Sequence, residues 1–302
     1  MKIETIVIGL GKIGMMYDFF KRNHFNNHCE AIKLHPKFNL NAGIETDLKK
    51  SDLFKKKYAL PVFKSTNKAL LKLDPDLIII SVPTEKSAKI FKILQNSNIK
   101  KKTILLEKPG SYNHYELKKF ISFCKIRNLK LFINYTRSFS YFIKDLKNTL
   151  KTNNFGKIQK IEIFYHKGIF NSCSHYLNFL LKFFKNEQIK ILKIYKKKKL
   201  LKDYLIDFDI KLKVPIFFRY TKKNIKEKII IYGKKKLTYI TEESKTYITE
   251  KNKKNVKNDF KNNLKNVLNA ILTYNKKKIE SNILKDLLTL EIITKIVNEK
   301  KI

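Results

Sequence analysis

Residues 2–10 form an apolar strand pattern that runs into Gly11-Lys12-Ile13-Gly14 and then into a helix-like stretch, KIGMMYDFF. Gly9, Gly11 and Gly14 make a G-x-G-x-x-G turn, although the 302-residue chain has only eight glycines. A buried strand that turns this tightly into a helix is the opening of a parallel βαβ unit. Gly9 permits the turn, Gly11 lets the backbone approach a pyrophosphate, and Gly14 lets helix pack on strand. The first N–H groups of the helix and its positive dipole end then face the phosphates. Gly9, Gly11, Lys12, Ile13 and Gly14 are therefore the candidate cradle of a dinucleotide.

The next 120 residues repeat the alternation. Strand patterns fall at 38–45, 76–83, 102–109 and 129–135, separated by helical patterns. Residues 21–29 are polar and read as an inserted loop. DLIIISVP is a continuous β-branched run, the pattern of a parallel strand covered on both faces. Ser51 is a candidate N-cap for the helix that follows the second strand. The alternation predicts a right-handed, doubly wound α/β sheet, a Rossmann domain over residues 1–136. After that the pattern changes to a long strand at 157–168, a helix at 174–184, several alternating strands between 189 and 250, and two closing helices. Residues 137–302 therefore read as an α+β domain with a mixed or antiparallel sheet. Gly233 and the lysines after it suggest a hairpin turn, and the lysine runs at 196–199 and 234–236 read as solvated loop tips.

In the dinucleotide fold an acidic residue ends the second strand and binds the adenosine ribose. Glu45 is placed there, with the polar insert accounting for its long separation from Gly14. A carboxylate at that point repels a 2′-phosphate, so NAD is expected over NADP.

The formal net charge is +40, but of 66 basic residues only Arg22, Arg127, Arg137 and Arg219 are arginine. Lysine, asparagine, isoleucine, phenylalanine and tyrosine are all abundant and share AT-rich codons. Nucleic-acid readers lean on arginine for bidentate contacts, and the lysines are spread along the chain. A solvated surface is expected, with no specific nucleic-acid partner and only salt-sensitive background binding. No run of 18 apolar residues marks a membrane span, and the first residues lack the pattern of a secretory peptide. Cys29, Cys124 and Cys173 form no CxxC pair and no metal pattern. A reducing, cytoplasmic setting without a bound metal is expected.

Chemistry in open α/β sheets sits beyond the carboxyl ends of strands. Glu107-Lys108-Pro109 stands at such an end. Asn134-Tyr135-Thr136-Arg137 follows the last strand of the first domain, and Lys167-Gly168-Ile169-Phe170-Asn171-Ser172-Cys173-Ser174-His175 leads into a helix. Arg137 is a candidate clamp for a carboxylate or phosphate of a substrate.

The order and spacing of GLGKIG, SVPT (81–84), EKP (107–109), NYTR (134–137) and KGIFNSCSH (167–175) resemble the glucose–fructose oxidoreductase / myo-inositol dehydrogenase (Gfo/Idh/MocA) family over nearly the whole chain. The resemblance implies an NAD(P)-dependent oxidoreductase acting on a hydroxyl or keto carbon of a sugar, nucleotide sugar or polyol. Lys108 would orient the substrate hydroxyl and His175 would act as general acid/base. Val82, Pro83, Thr84, Glu107, Lys108 and Asn134 would join the glycine turn and Glu45 in holding the cofactor. Lys167, Asn171 and Arg137 would face the substrate, and a homo-dimer or tetramer is expected. Asn171 stands where the family has an aspartate, and Ser87 where it has a histidine. A non-catalytic NAD-binding sensor on the same fold, and a lysine-based nucleic-acid binder, are the readings from other classes.

Overall fold

The computed structural model describes residues 1–139, 148, 156–184, 188–201, 203–222, 226–234, 236–240, 245–249, 252–255 and 262–299. The chain divides into two compact units, Met1–Thr136 with Lys261–Leu287, and Arg137–Phe260 with Leu288–Ile302.

The first unit is built on six parallel strands in the order β3-β2-β1-β4-β5-β6. They are β1 (Ile3–Ile8), β2 (Phe38–Ile44), β3 (Val62–Phe63), β4 (Leu77–Ile80), β5 (Thr103–Leu106) and β6 (Lys130–Ile133). Helices α1 (His28–Leu34), α2 (Leu48–Tyr58), α3 (Thr66–Leu73), α4 (Ser87–Gln95) and α5 (His114–Ile126) connect them. The strand order reverses between β1 and β4, and ligands of such sheets sit at that switch point. β4 is buried along its length, as its unbroken apolar run requires.

Local chemistry revises several expected boundaries. The helix expected at KIGMMYDFF is a five-residue turn, Lys12–Met16. It stops because Asp18 takes a left-handed conformation at φ 52°, which Asp and Asn tolerate better than most residues. The main helix of this connection, α1, starts at His28, within the 21–29 segment expected to be a loop, with Asn27 as its cap. α2 begins at Leu48, and its cap is Asp47, whose carboxylate accepts the Lys50 N–H at 3.1 Å. Ser51, expected to be the cap, lies inside the helix with its hydroxyl on the Asp47 carbonyl.

The second unit holds an eight-stranded sheet in the order β14-β13-β12-β11-β7-β10-β9-β8. Its strands are β7 (Lys160–Tyr165), β8 (Lys190–Lys199), β9 (Tyr204–Lys211), β10 (Pro215–Tyr220), β11 (Lys228–Tyr232), β12 (Lys236–Ile240), β13 (Lys245–Thr249) and β14 (Asn252–Asn255). Among the described residues only β7 and β10 pair in parallel, so the sheet is mixed. One face buries Ile161, Ile163 and Tyr165 with Ile206, Phe208, Ile210, Ile216 and Phe218, and the Phe208 and Phe218 rings stack at 4.4 Å. Helix α6 (Ser174–Phe183) belongs to this unit. The β11–β12 hairpin turns at Gly233, as expected. Lys196–Lys199 do not form a loop tip: they end β8 and pair with β9, because strand pairing fixes their backbone while lysine stems tolerate an extended edge.

The closing helices are α7 (Asn263–Thr273) and α8 (Lys276–Asn298). Residues 261–287 group with the first unit, so the second is not the continuous stretch 137–302. The reason is packing: His35 Nε2 and Asn269 Oδ1 lie 3.1 Å apart, and the Tyr274 ring lies 6.3 Å from that of Phe132 on the edge strand. No helix among the described residues is long and apolar enough to cross a membrane.

Candidate functional site

In the first unit, the candidate residues lie just past the strand ends and prolong the sheet ladders. The N–H of Gly9 donates to Ile44, that of Ser81 to Ile8, that of Glu107 to Ile80 and that of Asn134 to Leu106, at 2.8 to 2.9 Å. The Glu45 N–H reaches the Phe63 carbonyl at 3.0 Å. Backbone pairing thus sets Gly9, Glu45, Ser81, Glu107 and Asn134 along one edge, the carboxyl edge of the sheet.

The three glycines do different work. Gly9 has φ +92°, and a Cβ there would lie 2.9 Å from both the Ser81 carbonyl oxygen and the Val82 nitrogen. A Cβ at Gly14 would land on the Gly9 carbonyl oxygen. These two positions serve the turn's own packing. A Cβ at Gly11 would meet nothing within 4 Å, so that position keeps open the space in front of the loop. Lys12 and Ile13 are exposed beside it, in the first turn, where N–H groups have no intrahelical acceptor. Ser81, the first residue of the SVPT motif, donates its hydroxyl to the Gly9 carbonyl at 2.7 Å.

Glu45 is docked onto the turn. Its Oε2 accepts the Leu10 N–H at 2.9 Å, and its Oε1 accepts those of Thr46 and Asp47 at 2.8 and 3.1 Å. Val82, Pro83 and Thr84 follow β4, with Pro83 exposed and Thr84 opening a short 3-10 turn into α4. Ser87 is the buried first residue of α4.

Glu107 and Lys108 are half-buried, and the Lys108–Pro109 bond is cis. Glu107 Oε1 accepts from Asn134 Nδ2 at 2.5 Å and lies 2.7 Å from His28 Nε2. Asn134 is 1% exposed, and its Oδ1 has no hydrogen-bond partner among the described residues. An orphaned acceptor on Asn134 and a glycine facing open space are what a bound dinucleotide would complete, so the residues present fit that group.

The second unit carries the other candidates. His175 is 8% exposed in the first turn of α6. The turn before it, Ile169–Cys173, is held by Asp203, whose carboxylate accepts the N–H of Phe170 at 3.0 Å and of Asn171 at 3.1 Å. Asn171 and Lys167 are exposed, and the Lys167 N–H reaches Ser172 Oγ at 3.2 Å.

Arg137, expected as an anion clamp, is engaged inside its own unit. Its Nη2 donates to Glu227 Oε2 at 2.9 Å, with Glu227 fully buried, and its guanidinium stacks 4.8 Å from the Tyr176 ring. Glu227 also accepts from the Tyr176 hydroxyl at 3.0 Å and the His166 N–H at 3.2 Å. Burial pushes this carboxyl up, but the Arg137 charge and hydrogen bonds from Ser172, Arg137 and His166 hold it below the usual range. Arg137 thus orders the second unit's interior, a role that sequence position does not reveal.

The three cysteines are free and buried. Burial raises each thiol, Cys124 to about 12, so none is a nucleophile at neutral pH. Among the described residues no cluster of acids, histidines and cysteines could hold a metal.

No curated protein matches the chain. Among solved structures, the WlbA dehydrogenase from Bordetella pertussis, in complex with NADH and UDP-GlcNAcA, superposes with TM-score 0.72 at 15% identity, covering 97% of this chain and 95% of that one. A 3-ketoreductase from Actinomadura kijaniata, bound to TDP-benzene and NADP, gives 0.75 at 13% identity over 96% of both chains. The transcriptional regulator Gal80p from Kluyveromyces lactis gives 0.74 at 18% identity, over 100% and 91%. At these identities the likeness is one of fold. Residues 3–135 match the Gfo/Idh/MocA family model, described as "Oxidoreductase family, NAD-binding Rossmann fold".

Proposed function

We propose that the protein is an NAD-dependent oxidoreductase acting on a hydroxyl or keto carbon of a sugar or nucleotide sugar. The observation that carries this reading is the carboxyl edge of the first sheet. There the glycine turn, Glu45 and the Glu107-Lys108/Asn134 pair stand on consecutive strand ends. The nicotinamide, when bound, supplies or accepts the hydride.

The chain's own residues divide the remaining work. The turn from Gly9 to Gly14 holds the pyrophosphate, and Glu45 selects the 2′-hydroxyl. Val82, Pro83, Thr84, Glu107 and Asn134 complete the cofactor surface. Lys108 orients the substrate oxygen and stabilises negative charge developing on it. His175 takes the hydroxyl proton in the oxidative direction and returns it in the reductive one, a task suited to a group with a reference pKa of about 6.5. Asn171 cannot ionise, so it offers a hydrogen bond and no proton, and Lys167 offers a cation to an anionic substrate group.

The experiment is an NADH-oxidation assay against keto-sugars and nucleotide sugars, followed by Lys108→Ala. Turnover by the wild type and its loss in the variant, with NADH affinity retained, supports the reading; turnover that survives the substitution removes Lys108 from it.

The likeness to Gal80p favours a second reading, a regulator that binds NAD without turning it over. Saturable NADH binding with no turnover on any carbonyl substrate selects it.

Self-association is part of the proposal. On the second sheet, the row Asp209, Phe217, Glu162 and Ile230 lies on the opposite face, with Asp209 and Ile230 buried and Phe217 and Glu162 half-buried, and Leu192 and Tyr195 are 49% and 43% exposed on β8. An aromatic and ion-paired sheet face suits a symmetric contact with a second copy. The three buried thiols fit a reducing compartment.

A further inference from the structure

His28 belongs to none of the motifs used above, yet it is 1% exposed and touches one of them. Its Nε2 lies 2.7 Å from Glu107 Oε1, the oxygen that also accepts from Asn134. We propose that His28 is a positioning residue that fixes the Glu107 carboxylate, and with it the Glu107-Lys108 segment, for the nicotinamide end of the cofactor. The proposal rests on the dinucleotide reading of the first unit.

The chemistry of the cluster assigns its protons. An ionised carboxylate only accepts. Asn134 must therefore present its NH2 group to Glu107, and His28 must carry a proton on Nε2. Asn134 Oδ1 is then turned away, buried and without a partner among the described residues. Glu107 Oε1 has two donors, while Oε2 receives none among the described residues. Two acceptors, Glu107 Oε2 and Asn134 Oδ1, are left for donor groups of a ligand. Remove the His28 donor and the carboxylate is held by Asn134 alone, free to rotate away from that arrangement.

The local sequence explains how His28 arrives there. It is the first residue of α1, whose cap, Asn27, accepts the Glu30 N–H at 2.9 Å. The other side of the Asn27 amide donates to the Tyr17 carbonyl at 2.8 Å, immediately after the glycine turn. The polar stretch 21–29 is thus an anchor, its neighbouring residues Asn27 and His28 tied to Tyr17 just past the glycine turn and to the Glu107 tripeptide respectively.

Two measurements on the full chain test this. Long-range 1H–15N NMR of the ligand-free wild type, with His28 assigned by its loss in His28→Gln, should show a proton on Nε2 at neutral pH. A neutral ring protonated only on Nδ1 overturns the proposal whether or not NADH binds. NADH fluorescence titration should then give His28→Gln, which keeps a donor near the Nε2 position, an affinity within about threefold of wild type. His28→Met, of similar bulk but with no donor, should bind about tenfold more weakly, while thermal midpoints track the folding of both variants. His28→Met binding NADH as the wild type does overturns the proposal. A wild type that does not bind NADH strikes the cofactor reading instead, and the tautomer still decides whether His28 holds Glu107.

Discussion

Glu45 Oε2 accepts the backbone N–H of Leu10 at 2.9 Å, so the acid that ends the second strand is fastened to the glycine turn that follows the first. Its other oxygen is held by the N–H groups of Thr46 and Asp47. Three donors hold the carboxylate in place. A 2′-phosphate brought to this place meets a fixed negative charge. Glu45→Gln should therefore narrow the preference for NADH over NADPH by about tenfold, measured by parallel fluorescence titrations. An unchanged ratio would remove Glu45 from cofactor selection.

The glycine turn separates a folding role from a binding role. Gly14→Ala places a methyl group on the Gly9 carbonyl and should destabilise the first unit by about 2–4 kcal/mol, visible as a lowered thermal midpoint. Gly11→Ala points its methyl into open space and should leave the midpoint near wild type while weakening NADH binding. Equal stability losses in both variants would contradict the distinction.

The Arg137–Glu227 pair predicts an acid limit on the second unit. Glu227 is held below the ordinary carboxyl range in the folded state. Its contribution is complete above the unfolded value, about pH 4.3, and is lost as the pH falls through the depressed folded value. Glu227→Gln should cost about 3–5 kcal/mol near neutral pH, because Arg137 is left buried without its counter-charge, and should flatten the acid limb of the stability curve. Urea unfolding at stepped pH checks both; a variant with the wild-type acid limb would place that limb elsewhere.

His175→Gln should lower turnover by about 10²–10⁴-fold with little change in NADH affinity, since the imidazole's part is proton transfer. A variant that keeps turnover would assign the proton to another group.

Much of this was legible because it is written in patterns. Alternating apolar runs and helical stretches, bounded by scarce glycines and prolines, marked five of the six strands, all but the two-residue β3, and the edge on which Gly9, Glu45, Glu107 and Asn134 stand. What stayed hidden are single polar residues whose partners are distant in sequence. His28 meets Glu107 across 79 positions, Arg137 meets Glu227 across 90, and Asp203 meets Phe170 across 33. In a chain this rich in charged and amide side chains, no local signal separates a buried anchor from a solvated one. The grouping of residues 261–287 with the first unit was hidden for the same reason, since it depends on contacts such as His35 with Asn269. The short Lys12–Met16 turn escaped because apolar periodicity continues through Phe20, while Asp18 ends the turn by its own backbone conformation.

The most direct test of the account is a crystal structure of the wild-type protein at saturating NADH. The pyrophosphate should lie against the N–H groups around Gly11, Lys12 and Ile13, the adenosine ribose at Glu45, and the nicotinamide beside Glu107, Lys108 and Asn134. An ordered NADH bound elsewhere, or no cofactor density along this edge, would contradict it.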